Sequence, residues 1–163
     1  MKRIIVIGCP GSGKTTLSEK LQKRLGLPLY YLDAIWHRAD RTHIERDEFD
    51  RRLGEILERD AWIIDGNYSR TLERRMAACD TVILFDLPTE VCLGGAEARL
   101  GKKRADMPWI DTELDPNLKR EIEEFRTRNL PDIYVLLKKY GEGRTVFVLR
   151  SREEADALLK HII

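Results

Sequence analysis

Residues Gly8-Cys9-Pro10-Gly11-Ser12-Gly13-Lys14-Thr15 fit the spacing G-x-x-x-x-G-K-[ST] at every fixed position, the pattern of a loop that cradles phosphate groups. Glycines so placed let the backbone wrap an anion with its N–H groups pointing inward, and a helix that starts at the loop adds its positive end. Gly8, Pro10, Gly11, Ser12, Gly13, Lys14, Thr15 and Thr16 are therefore the candidate phosphate-binding residues. Lys14 would reach the β- and γ-phosphates, and Thr15 would place its hydroxyl on Mg²⁺. An ordinary Gly-rich strand-to-helix turn is the alternative, and the Lys14-Thr15 pair argues against it.

Phosphoryl transfer needs more than a phosphate cradle. An aspartate after a strand beside the loop can hold Mg²⁺ directly or through water. Asp65, after Ala61-Trp62-Ile63-Ile64, and Asp86, after Val82-Ile83-Leu84-Phe85, compete for that role. Asp65 is favoured because the strand order 2-3-1-4-5 would set the third strand beside the first. Asp33 follows Leu27–Leu32 and would lie where ligands gather in open α/β sheets, as a base or substrate ligand, or else as a turn or cap residue. Trp36 is a weaker substrate-binding candidate, His37 weaker still, and His43 reads as surface. Arg70 stands in the first turn of a helix, against the dipole, and so hints at a substrate phosphate or a surface ion pair. Arg99, Arg104 and Arg128 bracket an irregular segment from which a hinged lid could bring cations over a triphosphate.

The elements that must position these groups are readable from periodicity. Ile4-Ile5-Val6-Ile7 is the apolar run of a buried strand, and Leu17, Leu21 and Leu25 share one helical face. Gly26 and Pro28 end that helix. Thr42 with Glu45 has capping-box spacing ahead of Phe49, Leu53, Ile56 and Leu57, and Ser69 can cap the helix carrying Leu72 and Met76. From Thr89 a helix is attempted in which Gly94-Gly95 should cost about 1 kcal/mol each, making mobility plausible. Asp115 caps a helix with Pro116 at its first position, and Leu118, Ile122 and Phe125 define its buried face. Pro131 restarts a helix that stops at Gly141, Thr145–Leu149 forms the fifth strand, and Ser151 with Glu154 caps the last helix. A nucleotide base would rest near the loop Arg150 to Arg152.

At 163 residues and 42% hydrophobic, the chain suits one domain, 1–163, with a lid excursion at about 92–128. Lys plus Arg number 29 against 28 Asp plus Glu, so no general attraction to nucleic acid is expected. Cys9, Cys79 and Cys92 are scattered, without the spacing of a disulfide framework or zinc site, which suits a reduced cytoplasm. No apolar run approaches the roughly 20 residues of a membrane span.

The glycine loop, Asp33, Asp65-Gly66 and the basic lid together resemble the adenylate-kinase-like group of P-loop kinases over essentially the whole chain. More narrowly, Leu32-Asp33 with Trp36, Trp62-Ile63-Ile64-Asp65-Gly66-Asn67-Tyr68 and Arg104-Ala105-Asp106-Met107 resemble the bacterial DNA topology modulation proteins, which are adenylate kinase-related. The resemblance implies a P-loop NTPase fold of three layers, α/β/α, around a five-stranded parallel sheet with a small helical lid, ATP and Mg²⁺ as cofactors, and phosphoryl transfer. Adenylate kinases have an Asp-Gly-aromatic-Pro-Arg turn where this chain has Asp65-Gly66-Asn67-Tyr68-Ser69-Arg70, one residue longer and without proline. The expected acceptor is a small molecule, a nucleotide or nucleoside. An ATP-dependent regulator with weak ATPase activity and a kinase of another hydroxyl substrate are the alternatives. A GTPase is disfavoured because no N-K-x-D segment occurs.

Overall fold

The computed structural model describes residues 1–162. Its elements run β1 (Arg3–Gly8), α1 (Lys14–Leu25), β2 (Leu29–Tyr31), α2 (Leu32–Trp36), α3 (Arg46–Leu57), β3 (Trp62–Asp65), α4 (Ser69–Ala78), β4 (Thr81–Phe85), α5 (Thr89–Ala98), α6 (Pro116–Arg128), α7 (Leu130–Tyr140), β5 (Thr145–Leu149) and α8 (Arg152–His161). The five strands form one parallel sheet in the order β2-β3-β1-β4-β5, as expected. Parallel sheets carry helices on both faces, so the inner strands must be apolar throughout. Ile4-Ile5-Val6-Ile7, Ile63-Ile64 and Val82-Ile83-Leu84 accordingly have no exposed surface. α1 packs on β1, β2 and β3 and against α8, whereas α4 packs on β1 and against α3 and α7.

Because β1 is central, with Ile5 opposite both Ile64 and Val82, the glycine loop emerges at the middle of the sheet's carboxyl edge. Asp65 ends β3 directly beside it.

Some local expectations do not survive folding. β2 is shorter than Leu27–Leu32, because the chain turns at Leu32 into the five-residue α2 and buries that side chain completely. Asp33 therefore sits in a first helical turn rather than in a strand exit. The Thr42–Glu45 capping box does not form: Glu45 is the N-cap, and Thr42 instead donates from backbone and hydroxyl to Asp40. Ser69 is not the cap of α4, whose N-cap is Tyr68 at φ 38°. Asp115 and Ser151 do cap as read, accepting from Leu118 N and Glu154 N respectively.

Within the expected lid, Cys92 and Ala96 of α5 and Ile122 and Phe125 of α6 are core residues. The irregular part spans 99–115 and is itself tied down. Gly101 N donates to Asp111 O (2.7 Å), and Trp109 lies edge-on to His37 at 5.1 Å.

Gly95 is explained by contact rather than mobility. A Cβ there would stand 1.9 Å from Gly11 O, and one on Gly11 would stand 2.0 Å from Cys92 O. The two glycines let α5 and the phosphate loop touch backbone to backbone. Gly95→Ala should therefore cost about 1–3 kcal/mol by overpacking and weaken nucleotide binding by displacing the loop. Gly94→Ala, which meets open space, should stabilise by up to about 1 kcal/mol. Thermal denaturation and nucleotide titration of the pair check this.

Candidate active site

The loop is drawn tight by its own backbone and by neighbours. Ser12 N and Lys14 Nζ both donate to Cys9 O, at 3.2 and 3.1 Å. Gly8 N donates to Asn67 Oδ1 (3.0 Å), and Arg152 Nη2 donates to Gly11 O (3.3 Å). Burial holds the Lys14 ammonium below its usual range, while Asp65 pulls it back. Ser12 Oγ is buried with no hydrogen-bond partner among the described residues, a polar atom left unsatisfied within the loop.

Thr15 Oγ1 donates to Asp65 Oδ2 at 2.8 Å. Asp86 is engaged elsewhere, by Arg126 (2.7 Å) and the Tyr134 hydroxyl (2.6 Å). Of the two rival carboxylates, Asp65 alone stands against the loop hydroxyl. Among the described residues no group of three or more His, Cys, Asp or Glu is placed to hold a metal. One hydroxyl and one carboxylate do suit Mg²⁺, which completes its shell with phosphate oxygens and water.

Burial raises the Asp65 carboxyl from 3.8 to about 6, against the pull of Lys14 and Thr15. The folded, nucleotide-free chain thus keeps a proton on Asp65 at pH values where the unfolded chain has lost it. That contribution is fully present below the unfolded value and is lost as pH rises through about 6. Relative to Asp65→Asn, wild type should lose up to about 3 kcal/mol between about pH 4 and about pH 7, since each unit is about 1.4 kcal/mol. Urea titrations across that range test it.

A cavity of 410 Å³ opens from Lys14 and Thr15 toward Asp33, Trp36, Tyr68, Arg99, Arg104 and Phe125. The Tyr68 hydroxyl donates to Asp33 Oδ1 (2.7 Å), and burial beside that carboxylate raises its own pKa, so it remains a donor. Trp36 stacks on exposed His43, with centroids 4.3 Å apart, and packs edge-on to Phe49 and Tyr68. Arg99 is half-buried, its Nε buried with no partner. Arg104 pairs with Asp106 at 2.6 Å.

Arg70 and Arg128 do not line this cavity. Arg70 forms a two-pronged pair with Asp50 (2.9 and 2.7 Å), and Arg128 pairs with Glu124 one turn back with its side chain 72% exposed. The reason is local: a carboxylate on the same or adjoining helix lies closer than the sheet edge. Arg70→Ala should change the acceptor KM by less than about twofold, because a solvent-exposed pair contributes about 1 kcal/mol or less. Steady-state kinetics decide.

Arg75 escaped the sequence reading altogether, and the contacts of Asn67 and Tyr68 with the phosphate loop and Asp33, and of Arg152 with Gly11 O, were not legible in it. Arg75 is fully buried and donates to Gly66 O (2.9 Å), Asn67 O, Tyr68 O (3.1 Å) and Thr71 Oγ1 (3.2 Å). Burial pushes its pKa down to about 9. A signal existed: Arg75 follows Leu72 by three and Thr71 by four, on the apolar face of α4.

A second cavity of 320 Å³ lies on the other side of the loop, reaching Thr16, Phe85, Gly95, Arg152 and Leu159. Lys14, Thr15 and Arg99 border both cavities.

The family model described as an AAA domain matches residues 4–104. The chain is 35% identical to a shikimate kinase of Thermobifida fusca over 104 residues, 63% of this chain and 51% of that one. It is 30% identical to an adenylate kinase of Thermotoga petrophila over 80 residues, 49% of this chain and 36% of that one. The chain thus matches about half the length of the first relative and about a third of the second. Among solved structures, shikimate kinase from Acinetobacter baumannii in complex with shikimate aligns with TM-score 0.61 at 18% identity, covering 99% of this chain and 93% of that one. The Aquifex aeolicus shikimate kinase aligns with TM-score 0.54 at 18% identity, covering 98% and 92%. At that identity the two structures speak to the fold alone. No helix among the described residues is long and apolar enough to cross a membrane.

Proposed function

Because this chain belongs to the AAA-domain family, with relatives consistent with the adenylate-kinase-like P-loop kinases, we propose that it moves the γ-phosphoryl group of Mg-ATP to a hydroxyl of a small acceptor. The observation that carries the reading is the pair of cavities meeting at Lys14, Thr15 and Arg99. One has the lining for a nucleotide and the other for an acceptor, with a cationic junction between them.

In this reading the inward loop amides and Lys14 grip the triphosphate. Thr15 and Asp65 would hold Mg²⁺, which when bound supplies positive charge to the phosphate oxygens. Asp33, oriented by the Tyr68 hydroxyl, takes the proton from the acceptor hydroxyl. The acceptor oxygen forms its bond to the γ-phosphorus as the bond to the ADP oxygen breaks. Arg99, whose Nε is buried and unpartnered, donates to the moving group. Arg104 adds charge from the 99–115 segment, which also keeps water from the junction. A hydroxyl acceptor is preferred over a nucleoside monophosphate because a base lines the cavity, whereas Arg70 is held by Asp50.

The test is a screen of nucleosides, nucleoside monophosphates, sugars and other alcohols with Mg-ATP, following ADP release. Acceptor-dependent release that Lys14→Ala abolishes is expected. A slow release unchanged by every acceptor would point to the regulator instead.

A further inference from the structure

The acceptor cavity has a lopsided charge. Its cations are Lys14, Arg99 and Arg104. The first two stand at the junction where the transferred group passes, and the third is held by Asp106. Of the lining carboxylates, Asp65 is bonded to Thr15 and Asp106 to Arg104. Among the described residues Asp33, Asp111 and Glu121 form no salt bridge, although Asp33 and Asp111 lie within electrostatic reach of Arg99 and Arg104 and Glu121 within reach of Lys14. Asp111 accepts from Trp109 Nε1 (2.9 Å), which leaves its charge in place. Glu121 lies at the rim, its carboxyl pKa raised by burial and by Asp33 against the pull of Lys14.

The arginines that could have answered a second anion face elsewhere. Arg70 pairs with Asp50, Arg126 with Asp86 and Arg128 with Glu124, and Arg75 spends its guanidinium on backbone carbonyls. The rest of the wall mixes aromatic and apolar side chains, among them Trp36, Tyr68, Met107 and Phe125, with the uncharged polar Asn67, Ser69 and Asn129.

Resting on the kinase reading above, we infer that the acceptor is an alcohol with no anionic group, neutral or cationic, and that Asp33, Asp111 and Glu121 exclude nucleoside monophosphates and carboxylates. An anion entering beside ATP would lose its hydration, compete with the transferred group for Lys14 and Arg99 and with Asp106 for Arg104, and face three further carboxylates. A hydroxylated neutral molecule would keep hydrogen-bond acceptors on one side and aromatic faces on the other. An amine would gain from the same charges.

The experiment uses acceptor sets that differ chiefly in charge: shikimate and its methyl ester, adenosine and AMP, and glucose, glucosamine and glucuronate. Acceptor-dependent kcat/KM is measured with saturating Mg-ATP, and Mg-ATP affinity is measured separately. The neutral or cationic member of each set should exceed the anionic one by at least about 30-fold, the order expected for a few like charges at short range in a partly desolvated site. Glu121→Gln and Asp111→Asn should each narrow that ratio severalfold, chiefly by lowering KM for the anionic member. Equal or better turnover of the anionic members, or a ratio unmoved by both variants, overturns the charge assignment and leaves the kinase standing. Intact Mg-ATP affinity with no acceptor-dependent turnover in any set overturns both.

Discussion

Asp33→Asn should lower kcat by about 10³-fold while leaving Mg-ATP affinity within about twofold, the scale of losing a positioned proton acceptor. The substitution isolates one capacity. Asparagine keeps the size of the side chain and can still accept from the Tyr68 hydroxyl at the place of the present 2.7 Å bond. What it cannot do is take a proton. Tyr68→Phe, which removes the hydroxyl that donates to Asp33, should cost less, about tenfold, and mainly through misorientation. Single-turnover measurements of the three proteins separate chemistry from binding. A loss under about tenfold for Asp33→Asn would remove the base from the mechanism and favour an acceptor that arrives already ionised.

The largest effect on stability is expected at Arg75. Truncation to Ala should destabilise by about 3–5 kcal/mol, because it strands buried carbonyls and leaves a cavity the size of a long side chain. That is a large fraction of a typical domain's 5–15 kcal/mol. The turn it holds does two jobs: Asn67 accepts from Gly8 N in the phosphate loop, and Tyr68 donates to Asp33. Tyr68 also sits at φ 38°, where a non-glycine residue is strained and must be held by its surroundings. Arg75→Lys retains the charge but not the fork that reaches three carbonyls, so it should recover only part of the loss. Urea denaturation gives the stability, and nucleotide titration of the folded fraction gives the effect on the loop. A cost below about 1 kcal/mol would show that water replaces the guanidinium without consequence.

The expected architecture and the observed one agree because each strong local signal coincided with its global role. Ile4-Ile5-Val6-Ile7 is apolar on both faces, so it had to be an inner parallel strand. A glycine loop with Lys14-Thr15 then had to open a helix. The errors lie where weaker signals compete. Ser69 has the right chemistry for a cap, yet the chain enters α4 through Tyr68, because Arg75 fastens the carbonyls of residues 66–68 from below. Gly94-Gly95 reads as a weakened helix, whereas only Gly95 is needed, and it is needed by residue 11.

The order of residues along the chain determined the phosphate loop, the central strand that carries it, the five-strand parallel order, and the aspartates that could serve the chemistry. These follow from spacing, period and glycine placement, which act over a few residues. The strand order already favoured Asp65 over Asp86, and the fold set its contact with Thr15; tertiary structure alone decided that Arg70 and Arg128 turn away to Asp50 and Glu124 while Arg99 faces the junction of the two cavities. A charged side chain carries no periodic mark of its partner. Its direction is set by whichever opposite charge, carbonyl or buried surface the fold brings within a few ångströms.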